Sequence, residues 1–220
     1  MSRRLFIAGA HTDVGKTYAA CAILRAARKA GRSVAALKPV VSGFDAGDWT
    51  ESDPGRLLAA LGRPQTMAEL DAISPLRFTA ALSPPMAARL EDVHLRLAKL
   101  EDFCRQRLAT STADLVLVEG VGGVMSPIAE DATGLDLMIS LGLPSVLVGG
   151  SYLGGISHTL TAIETLRARG LAIEAVVISE DADPNAPDFD QTVESVAAFA
   201  PGLRVLPARR GEEAWAEAMV

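Results

Sequence analysis

Apolar residues in this chain gather into short continuous runs, separated by stretches in which they recur at helical spacing. The first run is Leu5-Phe6-Ile7-Ala8, and five more follow at Ser33–Leu37, Asp114–Val118, Pro144–Val148, Ile173–Ile178 and Leu203–Leu206. Continuous rather than alternating runs suit strands buried on both faces, as in a parallel sheet. Between them, Ala20, Ile23, Leu24 and Ala27 share one helical face, as do Ile156, Leu160, Ile163 and Leu166 ahead of Gly170, a helix stop. Leu97, Leu100, Cys104 and Leu108 form a third stripe, read as core packing. Strands alternating with helices predict an α/β fold: a doubly wound, mostly parallel sheet with helices on both faces. No repeat or long linker interrupts the pattern, so residues 1–220 are expected to form one domain.

The pattern changes between Pro39 and Asp114, where no strand is expected and helices take over. Asp53-Pro54 and Ser83-Pro84 each read as a helix cap followed by proline at the first helical position. Asp181–Asp190 reads as a surface loop, and Glu212–Val220 as an acidic closing helix.

The first strand runs directly into Gly9-Ala10-His11-Thr12-Asp13-Val14-Gly15-Lys16-Thr17 and then into the first helix. Strand, glycine-bounded loop ending in Gly-Lys-Thr, and helix make the setting of a phosphate-binding loop. Backbone N–H groups and the helix start offer partial positive charge to phosphates. Lys16 would neutralise the β- and γ-phosphates, and the Thr17 hydroxyl would ligate Mg²⁺. Five residues separate the two glycines instead of the usual four, so Ala10 stands at the first-glycine position.

Composition narrows what this loop serves. The chain carries a net charge of −6, and no run of Lys or Arg exceeds two, which argues against nucleic acid or an anionic membrane surface as partner. Cys21 and Cys104 read as buried packing residues of a reducing compartment, and His11, His94 and His158 lack metal-ligand spacing. Arg3-Arg4 precede an apolar run too short for a secretory signal, and no run approaches a membrane span, so a cytoplasmic protein is expected.

Two further constellations carry chemistry. Leu115-Val116-Leu117-Val118-Glu119 is an apolar strand ending in a carboxylate, the form that delivers an acid to the Mg²⁺ site of phosphate-loop proteins. Gly120-Val121-Gly122-Gly123 follows and permits close backbone approach to a ligand. Lys38, at the end of the second strand, is a second candidate cation for a transferring phosphoryl group, with Ser42 before Gly43 as donor or turn residue.

In this order, Gly9–Thr17, Lys38-Pro39-Val40-Val41-Ser42-Gly43, Ser52-Asp53, Ser83-Pro84, Val118–Gly123 and Leu153-Gly154-Gly155-Ile156-Ser157-His158 resemble the dethiobiotin synthetases, over about the first three quarters of the chain. The resemblance implies a phosphate-loop NTPase fold and a homodimer whose substrate site spans the interface. It implies ATP-dependent closure of a ureido ring on 7,8-diaminononanoate with CO₂ or bicarbonate, giving dethiobiotin, ADP and phosphate. Carried over, Thr17, Asp53 and Glu119 hold Mg²⁺. ATP is held by Asp13, Val14, Gly15, Lys16, Thr17, Tyr18, Asp53, Glu119, Gly120, Val121, Gly122, Ser179, Glu180 and Pro207. Thr12, Asp13, Lys38, Ser42, Gly122, Gly123 and Ser157 meet the substrate, and Lys16, Lys38 and Thr12 carry the catalysis. Three positions depart from the family. Ser179-Glu180 stand where an Asn commonly reads adenine, so base selectivity is expected to be loose. Ser157 stands where Asn is common, and Pro85 where His is common.

Two other classes share such a loop. A cobyrinate-amidating ligase works with a glutaminase cysteine, and neither cysteine here has a nucleophile's turn context. A partitioning-type ATPase switch shows basic contact surfaces, which this chain lacks.

Overall fold

Leu5 and Ile7 point to one side of their strand, Phe6 and Ala8 to the other, and all four are buried. Both sides of the sheet are therefore covered, as the continuous apolar runs require. The computed structural model describes residues 2–220. Its strands are β1 (Arg3–Gly9), β2 (Val34–Leu37), β3 (Val40–Ser42), β4 (Leu76–Phe78), β5 (Leu115–Glu119), β6 (Pro127–Ala129), β7 (Ala132–Thr133), β8 (Ser145–Gly150), β9 (Ile173–Ser179) and β10 (Val205–Ala208). Its helices are α1 (Lys16–Lys29), α2 (Asp53–Leu61), α3 (Met67–Ile73), α4 (Pro84–Leu90), α5 (Leu97–Thr110), α6 (Gly134–Leu141), α7 (Gly155–Ala168) and α8 (Phe189–Phe199).

Six strands form one parallel sheet in the order β10-β9-β8-β1-β5-β2. The chain leaves β1 for the β2 edge, returns through β5, and then winds the other way through β8, β9 and β10. The winding direction thus reverses around β1, and ligands of such sheets bind at the carboxyl ends beside that reversal. Residues of α1, α2 and α3 pack with Leu5, Ile7, Leu117 and Val146 on one face. Residues of α4, α5, α6, α7 and α8 pack with Phe6, Val116, Val118 and Val176 on the other.

Four local expectations need correction. The stretch from Pro39 to Asp114 does contain strands, since β3 and β4 pair in parallel as a separate two-stranded ladder. Pro39 has no N–H to donate, so the chain leaves the main sheet after Leu37 and pairs again only from Val40. The cap of α2 is Ser52, whose hydroxyl accepts from the Gly55 N–H at 3.4 Å; Asp53 is the first helical residue, free for other contacts. The last strand lies two residues later than its apolar run, at Val205–Ala208. The closing segment is a short 3-10 helix, Ala214–Met219, rather than an α-helix. Glu213 just before it and Glu217 within it strap it to α1 through the Arg25–Glu213 and Lys29–Glu217 ion pairs.

Candidate active site

Strand register brings the key side chains together. Leu37 of β2 lies opposite Val118 of β5, so Lys38 and Glu119 emerge side by side at the carboxyl edge. On the other flank of β5, Glu119 lies opposite Ile7, two residues before the phosphate loop begins. Lys38 and Glu119 are each 1% exposed. The Lys38 Nζ donates to Glu119 Oε1 at 2.6 Å and to the Gly120 carbonyl at 3.0 Å, and lies 2.8 Å from Asp53 Oδ2. An ammonium has three N–H groups, and all three are taken. Burial pulls the Lys38 pKa down, but Glu119 and Asp53 outweigh it and hold it above the ordinary lysine range.

Lys16 is placed differently. It is buried at the start of α1, and its Nζ reaches the His11 carbonyl at 3.2 Å. Burial first, and then the charge of Lys38, lower its pKa to about 8. Among the described residues the His11 carbonyl is the one hydrogen-bond partner of its Nζ. The loop itself is shaped for an anion. Helix α1 begins after Gly15 with no side-chain cap and no acidic residue in its first turn, leaving its N–H groups for a ligand. Gly15 has φ of +91°, and a Cβ there would lie 2.6 Å from Ser179 Oγ, so both backbone and space demand glycine. Asp13 also adopts a left-handed conformation, φ +55°, one of two non-glycine residues to do so among those described.

Thr17, Asp53 and Glu119 meet around the Lys38 ammonium, with the Thr17 hydroxyl donating to Glu119 Oε1 at 2.6 Å. This donor set is all oxygen and two-fold anionic, and among the described residues the buried Glu119 Oε2 has no hydrogen-bond partner. Such a set fits Mg²⁺, which prefers a few carboxylate or hydroxyl ligands completed by phosphate oxygens and water. Among the described residues no group of three or more His, Cys, Asp or Glu lies together as an ion cage.

The Gly120–Val124 turn closes over the loop. Gly120 N–H donates to the Ile7 carbonyl at 3.0 Å and Val124 N–H to the Gly9 carbonyl at 2.9 Å. Gly122, at φ +65°, packs on Ser126, whose Oγ accepts from Gly123 N–H at 2.8 Å.

Two cavities flank the loop and divide the expected ligand residues. One, about 500 Å³, is lined by Asp13, Val14, Gly15, Tyr18, Ser179 and Glu180 together with Arg56, Tyr152, Asp181, Arg210 and Gly211. The other, about 440 Å³, is lined by Thr12, Gly123, His11, Met125, Ser126 and His158. Thr12 and Asp13, adjacent in sequence, therefore open onto opposite cavities. Val121 lies in the turn beside Gly122, and Ser42 closes β3, half-buried. Pro207 is exposed on β10 and outside the first cavity, where Arg210 and Gly211 stand instead. Ser157 is exposed on the first turn of α7. Its neighbour His158 is the residue that reaches the loop. The His158 ring stacks on His11 with centroids 5.3 Å apart, and its Nδ1 is 2.7 Å from the Tyr152 hydroxyl. Only the placement of an aromatic donor inside the loop hinted at this contact. Cys21 and Cys104 are buried, and burial pushes both thiols up to about 12, which suits packing and not nucleophilic attack.

A central parallel strand, an uncapped helix start after a glycine-bounded loop, and a buried lysine–carboxylate cluster at the sheet's carboxyl edge define a phosphate-loop nucleotide-binding protein. The family described as AAA domain matches residues 3–208. The ATP-dependent dethiobiotin synthetase of Phenylobacterium zucineum (strain HLK1) is 59% identical, over 98% of this chain and 93% of that protein. The synthetase of Caulobacter vibrioides (strain NA1000 / CB15N) is 53% identical, over 94% and 93%. The chain belongs to the ATP-dependent dethiobiotin synthetase family. Among solved structures, the septum site-determining protein MinD with Mg-ADP from Pyrococcus horikoshii OT3 is similar in fold alone, at 15% identity and a TM-score of 0.53, covering all of this chain and 87% of that one. The signal recognition particle receptor FtsY from Elizabethkingia anophelis is similar in the same way, at 13% identity and a TM-score of 0.55, covering 98% and 61%.

Proposed function

We propose that the chain closes the ureido ring of dethiobiotin from 7,8-diaminononanoate, CO₂ and ATP, acting as one cytoplasmic domain over residues 1–220. Family membership supports the reaction. The observation that carries the residue roles is the buried Lys38, paired with Glu119 and Asp53 at the sheet edge beside the phosphate loop. Against a partitioning switch stands the synthetase-type identity; the MinD likeness is one of fold only.

One amine of the substrate takes up CO₂ as a carbamate and loses a proton. The carbamate oxygen attacks the γ-phosphorus, and ADP leaves. The second amine then attacks the carbonyl carbon of the carbamic–phosphoric anhydride and expels phosphate. Carbamate and triphosphate repel each other, so the site must supply cations where they meet. Lys16 and the α1 N–H groups hold the phosphates, and Lys38 serves the transferring phosphoryl group with Ser42 and Thr12 near the carbamate. Asp13 to Tyr18, Gly120 to Gly122, Ser179 and Glu180 bind the nucleotide; Gly122, Gly123 and Ser157 contact substrate. Mg²⁺, held by Thr17, Asp53 and Glu119, would neutralise charge between the β- and γ-phosphates.

We infer also that two copies pair. Met86 and Leu90, four residues apart on α4, are exposed together with Leu82 in the loop before it, and Leu153, in the loop before α7, is 88% exposed. Pairing would let the exposed Ser157 of one copy serve the other's site. The deciding experiment is ADP release with diaminononanoate and bicarbonate together against either alone. ADP release only with both is expected; equal release without the diamine overturns the reading.

A further inference from the structure

We infer that Lys38 is an internal counter-ion that keeps the two carboxylates of the divalent-ion site paired until the ion arrives, so that ion entry and release of the lysine's donors are one event. The inference rests on the reading of Thr17, Asp53 and Glu119 as the ion's ligands. Three observations carry it. First, the Lys38 Nζ sits between the two acids, 2.6 Å from Glu119 Oε1 and 2.8 Å from Asp53 Oδ2. A monovalent cation thus occupies the common ground of the ligand set. Second, its third hydrogen goes to the Gly120 carbonyl at 3.0 Å, so no donor remains for a substrate or phosphate oxygen. A residue that is to stabilise a transferring phosphoryl group must give up at least one of these bonds first. Third, the charges already balance. Two carboxylates face Lys38 and the nearby Lys16, so a further divalent cation would meet a neutral cluster in which Lys38 and Glu119 are buried while Asp53 stays part-exposed. The ion therefore enters with nucleotide, whose phosphates bring the missing negative charge, and it takes the carboxylates from Lys38.

The consequence is an ordered site. Without nucleotide the lysine pairs the buried Glu119 and the part-exposed Asp53, and divalent ions bind weakly. With nucleotide and ion together, the lysine's donors become free on the side where the carbamate and γ-phosphate meet.

Mn²⁺ is the probe, followed by its paramagnetic resonance signal in nucleotide-free protein. Lys38→Met should bind Mn²⁺ tighter than the unmodified chain, by about tenfold or more as expected for removing a competing charge at a coupled site. Its melting temperature should rise with added Mg²⁺ more than that of the unmodified chain. Equal or weaker Mn²⁺ affinity in a folded variant overturns the inference. The unmodified protein gives an independent readout, because the chain has only four lysines, Lys16, Lys29, Lys38 and Lys99. The ¹⁵Nζ resonance of Lys38, identified by its absence in the variant or by its slow proton exchange, should hold its position with metal-free ADP and move when Mg²⁺ is added. A resonance that stays put on Mg²⁺ addition overturns the inference even if Lys38→Met does not fold. Asp53→Asn and Glu119→Gln separate this from the reading beneath it. If both retain normal Mg²⁺ dependence of ADP release, the ligand assignment is wrong; if both lose it while Mn²⁺ affinity is unchanged in Lys38→Met, only the counter-ion inference fails.

Discussion

The two ends of the nucleotide site are built on opposite plans. At the phosphate end, Lys16 at the start of α1 and Lys38 and Glu119 at the carboxyl ends of β2 and β5 are buried, the last two joined by a 2.6 Å bond. At the far end, Ser179, Glu180, Asp181, Arg210 and Gly211 line an open cavity of about 500 Å³ formed by loops. Tyr18 links α1 to the far end, its hydroxyl reaching the carbonyls of Arg209 at 3.0 Å and Glu212 at 2.5 Å. Phosphoryl chemistry needs fixed charges in a dry place, which strand ends supply. Recognition of a base needs only shape and a few donors, which loops can vary without disturbing the sheet.

Changes at the buried end should be the most damaging. Lys38→Gln is expected to lower phosphoryl transfer by about 10² or more, the scale of removing a donor from a developing charge, with metal-free nucleotide affinity altered only a few-fold. Single-turnover ADP formation beside equilibrium nucleotide binding checks both halves, and wild-type turnover would erase the contrast between the two ends. Glu119→Ala should abolish the normal Mg²⁺ dependence and also cost about 3 kcal/mol of stability, because it strips a buried ammonium of its closest partner. Chemical denaturation tests the second effect separately from activity. At the open end the effects should be small. Preference for ATP over CTP or GTP is expected to stay within about tenfold, since serine lacks the paired donor and acceptor of an amide; strict ATP use in competition assays would mean that another group reads the base. Tyr18→Phe should cost about 1 kcal/mol, raising the KM for ATP a few-fold while kcat is kept.

That division also decided what the sequence made legible. The strand before the phosphate loop, the lysine after β2 and the glutamate ending β5 all announce themselves, because a charge closing an apolar run can only stand at the edge of a sheet. Their mutual contact did not, since it depends on the register of β2 and β5 and on α2 presenting Asp53. Ser52 rather than Asp53 caps α2, which is what leaves that carboxylate free for Lys38. The short β3–β4 ladder escaped notice because three-residue strands carry too little periodicity to separate from a loop. At the open end, Arg210 and Gly211 belong to the cavity while Pro207 does not, and loop residues follow no period from which that could be read.

Helix α1 starts on a glycine with no side chain folded back onto its first N–H groups. Most helices carry their own cap; this one is completed by what it binds. The bound nucleotide then counts as part of the fold, and by mass action a ligand at one hundred times its dissociation constant adds about 2.7 kcal/mol to stability. A simple melting curve thus becomes a reporter of ligand identity. It also follows that the protein stripped of nucleotide is a weaker object than the one at work, and that storage with a nucleoside triphosphate should prolong its life.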